Sequence, residues 1–398
     1  MNLEQKLENL TTVISDAGKN ADGSYTRLPM SAEYFRAASQ LQTLMQDAGM
    51  NTSIDSVGNV HGLLAGTKPS KGTILTGSHL DTVKNGGLFD GALGIAAALL
   101  CVQMLRENNI SLKHNLQITG FQGEEGSDLG GTFGSRSMMG LIPPISAEYE
   151  QILKQYGISY RNISDARADT SDMKCYLELH IEQGKILEDE QKSIGIVSGI
   201  VGITRYKITA LGVSNHAGTT PMKLRSDALT AAAQLILYIS ELANSYSNHL
   251  VATVGQLTVY PGSVAVIPGK VEMTLEVRHM EQEVIDNFIN KITDFASNIT
   301  NAEFSFSELI KKPSVYCSEA LKDKIRLSCE HFGMSFTELP SGAGHDGNAI
   351  GQRMPIGMIF VPSVNGLSHC KDEFTVWSDA VNGALVLYNT ILEMDRED

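Results

Sequence analysis

Residues Ile74–Gly94 read ILTGSHLDTVKNGGLFDGALG, and the fold turns on how this stretch is interpreted. A short apolar run, Ile74-Leu75, gives way at Gly77-Ser78 to polar residues that the interior of a strand would not tolerate. His79 and Asp81 lie two apart, which on extended backbone puts both side chains on one face. Further on, past Gly86-Gly87, Asp90 stands in Phe-Asp-Gly just before the apolar run from Ala92 to Leu105. Imidazole and carboxylate therefore gather where a strand ends and a helix begins, the place where α/β proteins carry chemistry. Taken alone, the stretch reads equally well as a strand-turn-helix in which His79 and Asp81 merely pair with each other.

The rest of the chain narrows the choice. Its 398 residues exceed one ordinary core, so two domains are expected. With 42% hydrophobic and 19% charged residues it is a folded chain, not a disordered one. A net charge of −14, from 31 basic and 45 acidic residues, argues against nucleic acid or an anionic membrane as partner. The start, MNLEQKLENLTTVISDAGK, lacks a basic segment followed by an apolar block, so no signal peptide is expected. The run Ala92 to Leu105 is too short to span a bilayer. Cys101, Cys175, Cys317, Cys329 and Cys370 are scattered without CxxC spacing, as expected of reduced thiols in a cytoplasmic protein.

Helices are predicted over 3–17 and from a Ser31 cap to about 50, with strands near 52–54 and 60–64. From 73 to about 199 strand and helix alternate, as in a largely parallel α/β sheet. Strand 114–121 runs directly into Gly123-Glu124-Glu125-Gly126, and strand 175–181 carries His180 near its end. After Gly202 the order becomes strand 203–211, helix 223–246, strands 251–260 and 270–279, helix 282–297 and strand 302–309. That β-α-β-β-α-β order is the signature of a ferredoxin-like domain, here inserted in a larger one. The expected bounds are 1–201 and 314–398 for the larger domain and 202–313 for the insertion. Helix 319–332, the glycine-rich SGAGHDGNAIG, strand 356–361, His369 in GLSHCKDEF and helix 376–394 complete the chain.

Five potential metal ligands thus fall at strand ends: His79, Asp90, Glu125, His180 and His369. Imidazole mixed with carboxylate suits Zn²⁺, Mn²⁺, Co²⁺ or Ni²⁺, and not a hard all-oxygen Ca²⁺ site. Five exceed what one catalytic metal takes, so two divalent ions sharing a bridging carboxylate fit the count, with Asp90 as the candidate bridge. Asp81 is expected behind His79, orienting it through the other ring nitrogen. Of the acid pair, Glu125 can bind metal while Glu124 serves as general base toward the water that the metals activate.

The segments GSHLDTVKNGGLFDGALG, EEGSDLGGTFGSR, ELHIEQGKILE, GVSNHAGTTPMKLRSDAL, SGAGHDG and VPSVNGLSHCKDEF together resemble the hydantoinase/carbamoylase branch of the M20-type metallo-amidohydrolases. This branch includes N-carbamoyl-L-amino acid hydrolases, allantoate amidohydrolases and β-ureidopropionases. The resemblance runs from Thr26-Arg27-Leu28 to the last helix. It implies an α/β fold: a mixed-sheet, zinc-peptidase-like catalytic domain with an inserted ferredoxin-like lid and dimerisation domain. It also implies a dinuclear site on His79, Asp90, Glu125, His180 and His369, filled by Zn²⁺ or Mn²⁺ ahead of Co²⁺ or Ni²⁺, with Glu124 as base and Asp81 behind His79. By the same resemblance His216 of HAGTTPM reaches the partner subunit's site to stabilise an oxyanion, and Arg278 grips the substrate carboxylate. Gln183 and the backbone around Gly342, Ala343 and Gly344 line the pocket. From the residues alone, His216 reads as well as a capping-region histidine and Arg278 as a strand-edge surface arginine.

The resemblance implies hydrolysis of a linear C–N amide in a small carbamoyl (ureido) acid. The products are ammonia and CO₂ or, from allantoate-type substrates, ammonia and a ureido product. The alternative enzyme is an aminoacylase or dipeptidase acting on N-acyl acids, and the two differ in whether ammonia is released. A catalytically dead scaffold is the remaining reading, but Glu124 and all five ligands are in place. The chain departs from the family where an asparagine usually precedes Val-Ile-Pro-Gly: it has Ala265, whose side chain cannot help hold the carboxylate, with Asn248 a nearby polar group. Gly347 replaces a common alanine, and Cys370 beside His369 is expected to point away from the site. The resemblance implies a homodimer through the lid, and the predicted helix 223–246, with apolar residues on several faces, would suit one.

Overall fold

The computed structural model describes every residue except 145, 247, 248, 397 and 398, so Asn248 lies outside the described residues. It divides into two compact units, Met1–Ile200 with Tyr316–Asp398 and Val201–Val315. The first carries, in order, α1 (Leu3–Ser15), α2 (Ala32–Asp47), β1 (Asn51–Ile54), β2 (Val60–Leu64), β3 (Thr73–His79), α3 (Ala92–Glu107) and β4 (Asn115–Phe121). Then follow α4 (Phe133–Met138), α5 (Ala147–Gln155), α6 (Tyr160–Asp165), β5 (Met173–Ile181), α7 (Ile186–Glu190) and β6 (Ile194–Ile200). The second unit holds β7 (Gly202–Leu211), α8 (Ala228–Ser245), β8 (Val251–Tyr260), β9 (Lys270–His279), α9 (Gln282–Ser297) and β10 (Glu303–Lys312). After the two-residue strand β11 (Val315–Tyr316) come α10 (Glu319–Phe332), β12 (Phe336–Ser341), α11 (Gly347–Ile350), β13 (Ile356–Val361) and α12 (Trp377–Arg396).

The sheet of the first unit runs β1-β2-β4-β3-β5-β13-β6, with β12 beside β6. Its centre, β4-β3-β5-β13, is parallel, while β1, β2 and the β13–β6 pair are antiparallel, so the sheet is mixed. β3 and β13 are buried throughout, as expected of strands covered on both faces. The chain leaves β3 for β4 on one side and reaches β5 on the other, so the sheet changes direction between β3 and β5. A crevice at the carboxyl ends of such strands is the favoured ligand site of open α/β sheets.

α3 is buried from Ala92 to Val102 and packs directly on β3 and β5. Gly94 permits this approach: a Cβ there would stand 2.3 Å from the Leu179 carbonyl oxygen and 2.8 Å from Ser78 Cβ. Both neighbours immediately precede the histidines at the ends of these strands. The strands β6 (IGIVSGI) and β12 (FTELPS) were not among the expected elements; two glycines weaken the pattern of the first and Pro340 that of the second. Parallel pairing between them offsets that weakness, with a register shift where Pro340 has no N–H to offer.

In the second unit the antiparallel order is β10-β7-β9-β8, and α8 and α9 pack on the sheet. β9 alternates strictly, burying Val271, Met273, Leu275 and Val277 while Lys270, Glu272, Glu276 and Arg278 take the other side. The predicted helix 223–246 begins later, at Ala228. Asp227 caps it by accepting from the N–H groups of Leu229 and Thr230, and only Met222–Leu224 forms a 3₁₀ turn ahead of it.

Gly94→Ala should destabilise the protein by about 2–3 kcal/mol in urea unfolding, because the added methyl meets a backbone oxygen rather than a flexible side chain.

Candidate active site

Four connections carry the site. β3 ends on His79, and β5 places His180 one residue before its end. The loop after β4 supplies Glu124 and Glu125, the turn before α3 supplies Asp90, and the loop after β13 supplies His369. The two inner histidines are set by their own backbone. Nδ1 of His79 donates to the Asp81 carbonyl at 3.0 Å, and Nδ1 of His180 to the Ile181 carbonyl at 2.9 Å. A carbonyl only accepts, so each ring keeps a proton on Nδ1 and turns Nε2 inward. The two Nε2 atoms face each other at 3.5 Å, and each lies within 3.3 Å of Asp90 Oδ1.

Asp90 Oδ2 looks the other way, 3.1 Å from His369 Nε2, which is 3.4 Å from Glu125 Oε1. Of four triplets of potential ligands among the described residues, His79–Asp90–His180 and Asp90–Glu125–His369 share Asp90, and the other two are His79–Glu124–Glu125 and Glu178–His180–His345. Asp90 Oδ1 and Glu125 Oε1 are buried with no hydrogen-bond partner among the described residues. Atoms in that state call for a cation, and nitrogen with carboxylate oxygen is the donor set of borderline divalent ions.

The electrostatics agree. Burial works against an imidazolium at His79, yet Asp90, Glu124 and Asp81 outweigh it and hold the ring well above its ordinary value. Burial likewise opposes ionisation of Asp90, but the three imidazoles bring it well below the usual carboxylate range. Burial, then the Asp90 charge, pushes Glu125 up to about 7. Asp90 draws His369 up to about 9 against its partial burial. Glu124 is pushed well up by burial, with Asp346, Glu125 and Asp81 adding to the effect and His79 opposing it. A carboxylate with raised proton affinity suits a general base.

Asp81 does not orient His79 through its carboxylate. Its carbonyl meets the ring, while the carboxylate accepts the N–H groups of Glu124 and Glu125, each at 3.1 Å. β3 stops at His79, so the alternation that would have put both side chains on one face has ended before Asp81. What Asp81 fixes is the acid pair. On the far side of Asp90, Gly91 takes φ 68°, and a Cβ there would lie 2.4 Å from the His79 carbonyl oxygen. Only glycine lets the turn come that close.

Gln183 reaches the site: its Nε2 donates to Asp90 Oδ2 at 3.0 Å and lies 3.4 Å from His369 Nε2. Gly344 borders it, since a Cβ there would stand 3.9 Å from Glu124 Oε1, and the Ala343 N–H is turned onto Ser341 Oγ in the same loop with Gly342. Three residues beyond those expected join the cluster. Ser368 Oγ lies 3.3 Å from Asp90 Oδ2, Glu373 holds the backbone of Phe89 and Asp90, and Arg27 is buried beneath the Leu80 carbonyl. An acid four residues past His369 was the only trace of Glu373 in the sequence.

His216 and Arg278 belong to the second unit. His216 is exposed, and its Nδ1 accepts the N–H groups of Gly218 and Thr219 at 3.0 and 3.2 Å, which leaves Nε2–H as a donor. Arg278 is bound to Glu276, which also holds Arg205. Ala265 is exposed, with its carbonyl accepting from Ala217 N–H in the loop that carries His216.

The family model for peptidase family M20/M25/M40 matches residues 75–393. The chain belongs to this family. It is 39% identical to an N-carbamoyl-L-amino acid amidohydrolase of Geobacillus stearothermophilus, covering 96% of each chain. It is 36% identical to an allantoate amidohydrolase of Bacillus subtilis, covering 91% of this chain and 90% of that one. Among solved structures, a hydantoinase/carbamoylase family amidase from Burkholderia multivorans superposes with a TM-score of 0.90 at 29% identity, covering 99% and 98% of the two chains.

Metal affinity should rise with pH. A cation displaces the proton that His369 binds below about 9 and the one that Glu125 binds below about 7. From pH 7 to 9 one proton is released at His369, so the affinity of that triplet should rise about tenfold per pH unit in chelator-competition titrations. A flat profile would contradict the assignment of His369 as a ligand.

Proposed function

We propose that this protein is a dinuclear metal-dependent amidohydrolase that cleaves a linear C–N bond in a small ureido acid, such as an N-carbamoyl amino acid or allantoate, and releases ammonia. The observation that carries this reading is the single Asp90 carboxylate standing between two ligand triplets with Glu124 at their side. The names of the M20-family relatives supply the substrate class. Bound divalent ions would polarise the scissile carbonyl and make water a stronger acid.

In this reading Glu124 accepts the proton of the attacking water and passes it to the leaving nitrogen. Asp81 keeps Glu124 and Glu125 in register for these two tasks through their backbone N–H groups. Gln183 orients substrate beside Asp90 and His369, with the backbone of Gly342 and Ala343 bordering it. Arg278 pairs with the substrate carboxylate in competition with Glu276, and its fork-shaped guanidinium suits that exchange. His216, fixed as an Nε2–H donor, stabilises the oxygen that gains charge in the partner subunit's site.

The second unit acts as a ferredoxin-like lid and dimerisation domain. Its outer strand β8 pairs only with β9 among the described residues, and Leu237 on α8 and Val251 and Leu257 on β8 are exposed apolar residues, features that favour a second copy as partner. The ions are Zn²⁺ or Mn²⁺, with Co²⁺ and Ni²⁺ within the same donor preference.

The deciding assay reloads metal-free protein with each of these ions and offers carbamoyl amino acids, allantoate, N-acetyl amino acids and dipeptides. Ammonia and free amine are scored side by side. Metal-dependent ammonia supports the proposal, whereas amine without ammonia would place the enzyme among the aminoacylases and dipeptidases and make Ala265 the residue to revert. Glu124→Gln should lower kcat by about 10²–10⁴-fold with metal content unchanged. His216→Ala should cost about 10²–10³-fold in kcat, and a fully active monomer by light scattering would refute its action across an interface.

A further inference from the structure

We infer that Glu373 is a positioning residue for the Asp90–His369 half of the centre, holding the Asp90 backbone and the Ser368 hydroxyl beside His369 at once so that this triplet can hold its ion. The inference rests on the dinuclear reading above. Glu373 is only 4% exposed, and both its oxygens are used. Oε1 accepts the N–H groups of Phe89 at 2.9 Å and Asp90 at 3.0 Å. Oε2 accepts the hydroxyl of Ser368 at 2.9 Å, in the residue just before His369. One side chain thus ties together two ligand-bearing segments that lie 284 positions apart in the chain at Phe89.

Each of those segments needs support. Asp90 must present Oδ1 to two histidines and Oδ2 to a third, so a small rotation of its peptide would break one side or the other. His369 has a left-handed backbone, φ 57°, unusual for a residue with a side chain, and its side chain is 49% exposed. Such a conformation persists only where the surroundings impose it. The loop is closed by Glu373 N–H onto the Cys370 carbonyl, and its start is fixed by the Ser368–Glu373 bond. Asp81 grips the Glu124–Glu125 backbone by the same device, a carboxylate accepting two successive N–H groups. Hydrogen bonding alone could be met by an amide. A buried carboxylate next to Asp90 is costly unless positive charge accumulates nearby, and that is the state the ligand cluster serves.

The test is a calorimetric titration of metal-free wild type, Glu373→Ala, Glu373→Gln, Ser368→Ala and His369→Ala with Mn²⁺, alongside thermal melts of the metal-free proteins. Wild type should bind two ions. Glu373→Ala should weaken one of them by about 10–100-fold and leave the other within about threefold. Glu373→Gln, which keeps the shape and one acceptor, should fall between the two. The weakened ion should be the one lost in His369→Ala, so combining the two substitutions should add little. Wild-type affinities for both ions in Glu373→Ala would overturn the inference, as would equal weakening of both with a lowered melting temperature. If the alanine variant does not fold, Glu373→Gln and Ser368→Ala decide the matter by the same selective loss. Fewer than two ions in the wild type would instead overturn the dinuclear reading beneath it.

Discussion

The structure depends on one buried carboxylate shared among three imidazoles. Asp90 faces His79 and His180 with one oxygen and His369 with the other, and around it stand Glu124, Glu125, Asp81 and Glu373. Burying so many acids together is tolerable only where positive charge or strong donors compensate. Arg27 contributes some of that compensation from below: it is fully buried, its guanidinium donates to the Leu80 and Ser15 carbonyls, and burial draws it down to about 10 against the pull of Asp81 and Asp90. The imidazoles contribute the rest by holding protons that a divalent cation would replace. The raised affinity of these rings for protons and the fitness of the cluster for metal are one property.

The geometry of the cluster is imposed from the backbone outward. His79 and His180 are oriented by carbonyls within two residues of themselves, Glu124 and Glu125 by the Asp81 carboxylate, and Asp90 by Glu373. Gly91 lets the Asp90 turn come close to His79, and Gly94 lets α3 press against the strands that carry both inner histidines. His79 and His180 stand on strands, while Asp90, Glu124, Glu125 and His369 lie on connections, and these hydrogen bonds give the acids among them a fixed place.

The second unit is built for a different task. Its sheet pairs basic and acidic residues along β7 and β9, so Arg205, Lys207, Lys270 and Arg278 are each already neutralised by Glu272 or Glu276. Under the proposed function, a substrate carboxylate would have to exchange one ion pair for another at Arg278, which would favour discrimination by geometry over raw affinity.

Most of this arrangement was legible in the sequence because its signals are local. Strand ends followed by His, Asp or Glu pointed to five candidate ligands that the fold brings into two adjoining clusters around Asp90, and the β-α-β-β-α-β order after Gly202 matched the elements found. What stayed hidden depends on contacts between distant segments. β6 and β12 are completed by pairing, β12 with β6 and β6 also with β13, which their two glycines and Pro340 do not announce. Asp81 does meet the other ring nitrogen of His79, but by its carbonyl; its carboxylate turns to the acid pair because a two-residue spacing fixes the side-chain face only while the strand continues, and β3 stops at His79. Glu373 was invisible for a related reason: nothing in SHCKDEF marks one acid among neighbouring charges as buried, and its partners Phe89 and Asp90 come from the far end of the chain. Spacing locates the ligands, but the groups that hold them are chosen by the fold.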